Sequence, residues 1–201
     1  LVLVAFVAFT QLVASTPAIR GENGKVIDGS IAELKQVELN GRKEWISIRG
    51  HNRQNPVLLM LAGGPGGTQM AAFRYEQAAL EQHFVVVNWD QPGSGKSYSA
   101  ISRAELTPDV YIKDGHALTK YLCEQFGQDK IYLMGESWGS ALGIFLVAQY
   151  PQLYPAFIGT GQMVAFEETE VIDYNLAMQL AIESGNTDLV AKLEKNGAPP
   201  Y

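Results

Sequence analysis

Between Lys130 and Ala148 the chain carries a short apolar run, Ile131-Tyr132-Leu133-Met134, then Gly135-Glu136-Ser137-Trp138-Gly139, then good helix formers as far as Pro151. The pattern predicts a buried strand, a sharp turn and a helix. Glycines flanking the turn let the backbone crowd together and leave the one serine hydroxyl exposed, the layout of a nucleophile elbow. Histidine occurs only at His51, His83 and His116, all before Ser137. The elbow arrangement takes its acid and its base from later in the chain, in the order Ser, Asp or Glu, His. The sequence is therefore expected to stop before its own general base, and each histidine reads as a surface or partly packed residue.

Two upstream segments share the same organisation. Pro56-Val57-Leu58-Leu59-Met60-Leu61 is a second buried strand, and it runs into Ala62-Gly63-Gly64-Pro65-Gly66-Gly67. Acyl-bond hydrolysis passes through a tetrahedral oxyanion that needs two backbone N–H donors where the charge develops. Trp138, directly after the serine, supplies one in this reading, and Gly64 of the glycine loop supplies the other. Third, the β-branched run Phe84 to Val87 leads through Asn88-Trp89-Asp90 to Gln91-Pro92-Gly93-Ser94-Gly95-Lys96-Ser97. Gly-Lys-Ser invites a phosphate-loop reading, but that motif needs glycine where Asp90 stands, and a carboxylate would repel phosphate.

Together, in this order, the three segments resemble the proline iminopeptidase branch of the α/β-hydrolases, the S33 peptidase-like family. The family pattern is His-Gly-Gly-Pro-Gly-Gly, then Asp-Gln-x-Gly-x-Gly-x-Ser, then Gly-x-Ser-Trp-Gly-Ser. Here these are Ala62 to Gly67, Asp90 to Ser97 and Gly135 to Ser140. The resemblance implies Ser137 as nucleophile, Gly64 and Trp138 as oxyanion donors, and Asp90 as a supporting loop aspartate. It departs at Ala62, where the family has histidine, and at Pro92, where it usually has arginine. Glu136 stands where many relatives carry glycine and reads as a hydrogen-bonded residue below the elbow. The activity implied is that of a serine hydrolase forming an acyl-enzyme, an aminopeptidase of the proline iminopeptidase type acting on a small peptide. An esterase or lactonase acting on an ester substrate and a non-catalytic binding protein on the same scaffold are the alternatives.

Strands alternating with helices imply an α/β fold with a mostly parallel sheet flanked by helices. Asn40-Gly41 between Gln36 to Leu39 and Arg42 to Ile48 predicts a β-hairpin. Met70 to Gln82 is the expected helix after the glycine loop. Thr107-Pro108 opens another that Gly127 ends. Phe166 to Ser184 and Asn186 to Asn196 read as two more, the start of the helical cap that the resemblance implies. Glu167, Glu168 and Glu170 there suit a solvated helix start. The division expected is 1–14 hydrophobic segment, 15–29 linker, 30–162 hydrolase core and 163–201 start of the cap, with the closing strands of the sheet missing.

Leu1 to Ala14 is apolar except for Thr10 and Gln11. Fourteen residues fall short of the roughly 20 that span a bilayer. The segment reads as a membrane anchor or the remnant of an export signal, placing the protein on a membrane or outside the cell; a buried element of a cytoplasmic protein is the rival. A net charge of −6 argues against nucleic acid, which needs a basic footprint. One cysteine, Cys123, permits no internal disulfide. No metal-ligand spacing of His and Cys occurs, so neither metal nor other cofactor is expected.

Overall fold

The structure, a computed structural model, describes residues 2–4, 6, 9 and 15–199. Strands β1 (Ile31–Leu39), β2 (Arg42–Gly50), β3 (Val57–Leu61), β4 (Val85–Asp90), β5 (Tyr132–Glu136) and β6 (Phe157–Thr160) form one sheet in the order β1-β2-β4-β3-β5-β6. β1 and β2 are the predicted hairpin. Asn40 and Gly41 both take positive φ at its tip, 49° and 81°, as a two-residue hairpin turn demands. β2 pairs antiparallel with β4, while β3 with β4, β3 with β5 and β5 with β6 are parallel. This is the mostly parallel α/β sheet that the sequence predicts.

All five residues of β3 and all six of β4 are buried, as expected for central strands covered on both faces. Alternation divides them between two cores. Leu59, Leu61, Val87 and Trp89 join Leu118, Leu122, Leu142 and Leu146 from helices α2 (Pro108–Phe126) and α3 (Trp138–Gln149). Leu58, Met60 and Val86 pack against Phe73 of α1 (Met70–Glu76) and against Leu80. α2 carries proline in its first turn and ends on Gly127 at φ 62°.

The helix expected over Met70 to Gln82 is broken. α1 stops at Glu76 and a 3₁₀ turn covers Ala78–Gln82. The cause is Glu81, whose carboxylate is buried against Arg49 Nε at 2.7 Å while its carbonyl accepts from the His51 N–H at 2.7 Å. Pulling both groups toward the end of β2 requires a tighter winding than an α-helix gives.

Asp114 of α2, fully buried, clasps the hairpin. It accepts from Asn40 Nδ2 at 2.7 Å and from Arg42 through Nη2 at 2.5 Å and Nε at 3.1 Å. Glu44, also fully buried, takes a 2.7 Å hydrogen bond from Trp89 Nε1.

The chain divides into two compact units, Leu1–Gln162 and Met163–Tyr201. The second contains α4 (Phe166–Glu183) and α5 (Thr187–Asn196). There Asn186 caps α5 through its side chain, and Tyr174 donates from its hydroxyl to Leu193 O at 3.3 Å. Within the first unit, Ser15 to Gly29 packs in part: Ile19 is buried, and Arg49 Nη1 donates to Thr16 Oγ1 and Pro17 O. Most of the Leu1 to Ala14 segment lies outside the described residues.

Candidate active site

β5 ends at Glu136 and α3 begins at Trp138, so Ser137 is the single residue that turns strand into helix. It does so at φ 52°, ψ −120°, a conformation that costs an L residue on the order of 1–3 kcal/mol. The surroundings hold it there. Its N–H donates to Thr160 O at 3.0 Å, and its carbonyl accepts from Ser140 N at 2.8 Å and Ser140 Oγ at 2.5 Å.

Glycines make the close approach sterically feasible. A Cβ on Gly139 would stand 2.0 Å from Leu61 O, and one on Gly135 would stand 2.2 Å from Gly139 O. Gly63 brings the loop after β3 against the serine, since a Cβ there would lie 3.3 Å from Ser137 Cβ. Gly64 follows at φ 130°, joined to Pro65 by a cis peptide bond. Ser137 is left exposed, with the glycine loop on one side and the amino end of α3 on the other. As the first residue of α3, Trp138 has an N–H with no acceptor inside the helix, at the positive end of the helix dipole. Gly64 and Trp138 are thus on the two segments that meet at the elbow.

Asp90 lies at the end of β4. It is 1% exposed, accepting from Thr68 Oγ1 through one oxygen and from Lys96 N at 2.7 Å through the other. Gly95, at φ 46°, is required by that wrapping, because a Cβ there would fall 2.3 Å from Asp90 Oδ2. Gln91, which sequence reasoning passed over, is the direct link to the elbow. Its Nε2 donates to Ala62 O at 3.0 Å and its Oε1 accepts from Trp138 Nε1 at 3.1 Å. The signal available for it was its place beside Asp90 in the Asp-Gln pair. At the two departures, Ala62 and Pro92 are both buried. Glu136 accepts a hydrogen bond from Gln69 Nε2, in keeping with the reading of it as a hydrogen-bonded residue.

None of the three histidines is near Ser137. His116 stacks on Tyr150, ring centroids 3.8 Å apart and 5° from parallel. Tyr150 follows the carboxyl end of α3, whose 12 residues span about 18 Å from the serine end. His83 precedes β4, and His51 follows β2 with its N–H on Glu81 O. Both lie where the parallel strands begin, about 20 Å of strand away from the end that carries Ser137. Among the described residues no group of three or more His, Cys, Asp and Glu is placed to hold a metal ion.

Residues 56–189 match the family described as alpha/beta hydrolase fold. The sequence is 38% identical over 174 residues to "Probable aminopeptidase YbaC" of Bacillus subtilis (strain 168), covering 86% of this chain and 54% of that protein. It is 29% identical over 111 residues to a proline iminopeptidase of Lactobacillus helveticus (strain DPC 4571), covering 55% of this chain and 36% of that one. The chain thus spans about half the length of the first of these relatives and about a third of the second. Among solved structures, the fold is shared with a proline iminopeptidase-related protein of Thermus thermophilus (TM-score 0.62, 22% identity, 84% of this chain and 58% of that one). A Vigna radiata epoxide hydrolase mutant also matches it (TM-score 0.58, 25% identity, 73% and 44%). With two-thirds of its residues inside the family match and the strand order described above, this chain belongs to the α/β-hydrolase family.

Proposed function

We propose that the chain carries the nucleophile and oxyanion-binding half of a serine hydrolase, an aminopeptidase of the proline iminopeptidase type. The observation that carries the reading is Ser137 held exposed at φ 52° between β5 and α3, with Gly63 in contact behind it. An exposed hydroxyl at a helix amino terminus is placed to attack an acyl carbon, and the N–H groups of Gly64 and Trp138 stabilise the oxyanion that forms. The proton of Ser137 goes to a histidine that is none of His51, His83 and His116. Asp90 has no part in proton transfer; it shapes the loop from which Gln91 braces Trp138 and Ala62. The peptidase names of the relatives support a peptide substrate over an ester.

A fluorophosphonate probe tests the nucleophile in the protein as the cell produces it. Labelling at Ser137 that disappears in Ser137→Ala supports the reading, and labelling that persists in the variant removes it. Faster turnover of p-nitrophenyl esters than of proline p-nitroanilide moves the substrate to the ester class.

Membrane attachment or export through the amino-terminal segment is a separate reading, favoured by the exposure of Val2, Leu3, Val4, Phe6 and Phe9. No helix among the described residues is long and apolar enough to cross a membrane. Expression from Ser15 onward, which keeps Thr16, Pro17 and Ile19 in their packing, is expected to move the protein into the aqueous phase. Unchanged partitioning would leave the segment without a membrane role.

A further inference from the structure

Next to the elbow the first unit contains a cavity of about 740 Å³. Its lining includes Pro65 and Gly66 of the glycine loop, Trp138, which follows the serine, and Tyr111 and Leu106. Two of these side chains are packed on each other. The Tyr111 ring meets Trp138 edge to face with centroids 5.5 Å apart, and Tyr111 is 4% exposed. A pocket of this size takes a side chain as large as an aromatic ring with room for a backbone attached to it.

One charged side chain lines the cavity, Arg103. Arg103 sits in the short 3₁₀ turn Arg103–Glu105 ahead of α2, and its guanidinium has no hydrogen-bond or ion-pair partner among the described residues. Glu105, the acid two positions on, does not line the cavity and makes no ion pair with Arg103: its carboxylate accepts from the Oγ of Ser102, a lining residue, at 2.6 Å. An unneutralised guanidinium on the wall of an otherwise uncharged, largely apolar pocket selects a carboxylate, which it can hold through two parallel N–H donors.

We infer that this cavity receives the leaving part of the substrate, an apolar or aromatic residue ending in a free α-carboxylate that Arg103 binds. The inference rests on the aminopeptidase reading and narrows it to dipeptides and other very short peptides. In a longer peptide the carboxylate would lie outside the reach of a cavity of this volume. The apolar lining holds the side chain, Arg103 fixes the carboxylate, and the scissile carbonyl is thereby oriented toward Ser137.

Binding and turnover separate this assignment from the reading on which it rests. With the Ser137→Ala chain, N-acetyl-phenylalanine is expected to bind about 10-fold more tightly than N-acetyl-phenylalaninamide, the increment of one charge-assisted contact. Arg103→Gln is expected to erase that preference and Arg103→Lys to keep part of it. Because Arg103 is exposed, neither variant disturbs the core. Ile101→Trp, which fills the same cavity, is expected to weaken both ligands. Equal binding of acid and amide, or a preference that survives Arg103→Gln, overturns the assignment. The second arm compares Pro-Phe with Pro-Phe-amide as substrates of the protein as the cell produces it. Acid-selective binding without cleavage of either peptide would retain the carboxylate site and discard the aminopeptidase reading. Cleavage of both at equal rates with no Arg103 dependence would do the reverse.

Discussion

The indole Nε1 of Trp89 donates a 2.7 Å hydrogen bond to Oε2 of Glu44 in an interior where the carboxyl group meets no solvent. The other oxygen, Oε1, is buried without a hydrogen-bond partner, and Arg42 Nε stands 3.8 Å from it. Burial, and then the charge of Asp114, push the Glu44 carboxyl up to about 9, against the smaller opposing effects of the Trp89 hydrogen bond and the Arg42 charge. The group is therefore protonated in the folded protein at neutral pH, and Oε1 can act as donor toward Asp114.

The pH dependence of stability follows from the sign of that shift. The unfolded chain releases this proton near the ordinary value of 4.5, whereas the folded protein holds it to about 9. The stabilisation is complete below the lower value and is lost as pH rises through the higher one, with a limiting slope of about 1.4 kcal/mol per pH unit for one proton. Glu44→Gln keeps an acceptor for Trp89 and a donor toward Asp114 but has no proton to lose. Urea melts at pH 6 and pH 8.5 are expected to show a marked loss for the wild type and a much flatter response for the variant. Equal slopes would mean that Glu44 is ionised in the fold.

Gln91 is expected to be more costly to replace than its unremarkable residue type implies. Gln91→Leu leaves the buried Ala62 O and the partly buried Trp138 Nε1 without their partner, on the order of 2 kcal/mol in all. Chemical denaturation measures the loss, and Trp138 fluorescence reports whether the indole shifts. A change below about 0.5 kcal/mol, the range of an ordinary surface substitution, would show that the bracing is dispensable.

Gly139→Ala tests the crowding at the elbow. The added methyl would meet the backbone carbonyl of Leu61 at 2.0 Å, an atom that cannot rotate away. The expected outcome is a destabilisation on the order of 3 kcal/mol or more. Gly66→Ala serves as the control, since nothing lies within 4 Å of its Cβ position, although its φ of 104° adds local strain. Thermal melts of the two variants that coincide would remove close packing as the reason for glycine at position 139.

The 201-residue chain by itself is expected to show no Ser137-dependent turnover of proline p-nitroanilide. The basis is geometric: His116 is stacked on Tyr150 a helix length from Ser137, and His51 and His83 are at the opposite ends of the strands. Oxyanion donors without a base leave only a residual acceleration, roughly 10³ to 10⁴ over water in a well-formed site. Burst and steady-state assays against Ser137→Ala decide it. Robust Ser137-dependent turnover would require a histidine to move by many ångströms.

What could be seen in the sequence was local. Asn40-Gly41 specified the hairpin turn because few residue pairs accept positive φ twice in succession, and Pro108 with Gly127 bounded α2 for similar backbone reasons. The elbow was legible because a glycine on each side of Ser137 meets a steric demand made within a few residues. Features set by distant partners were not legible. The break after Glu76 depends on Arg49 and His51, and nothing near Glu81 announces them. The Glu44 and Asp114 carboxyl groups lie 70 positions apart in sequence, so their burial together emerges only from the packing of α2 on the hairpin. Gln91 was passed over because an amide side chain carries no charge or nucleophile to draw the eye, and its role exists only once two loops converge.

The grip of Asp114 on Asn40 and Arg42 also sets an order of events during translation. The hairpin leaves the ribosome first, but the carboxylate that fastens its tip is encoded 74 positions after Asn40. At about 5–20 residues per second that is a delay of roughly 4 to 15 s, during which Arg42 has no carboxylate from α2 and the strands around it have no helix above them. A nascent chain stalled between these points would present an unlocked hairpin to chaperones and proteases, so slow codons just before α2 would lengthen that exposure and fast ones would shorten it.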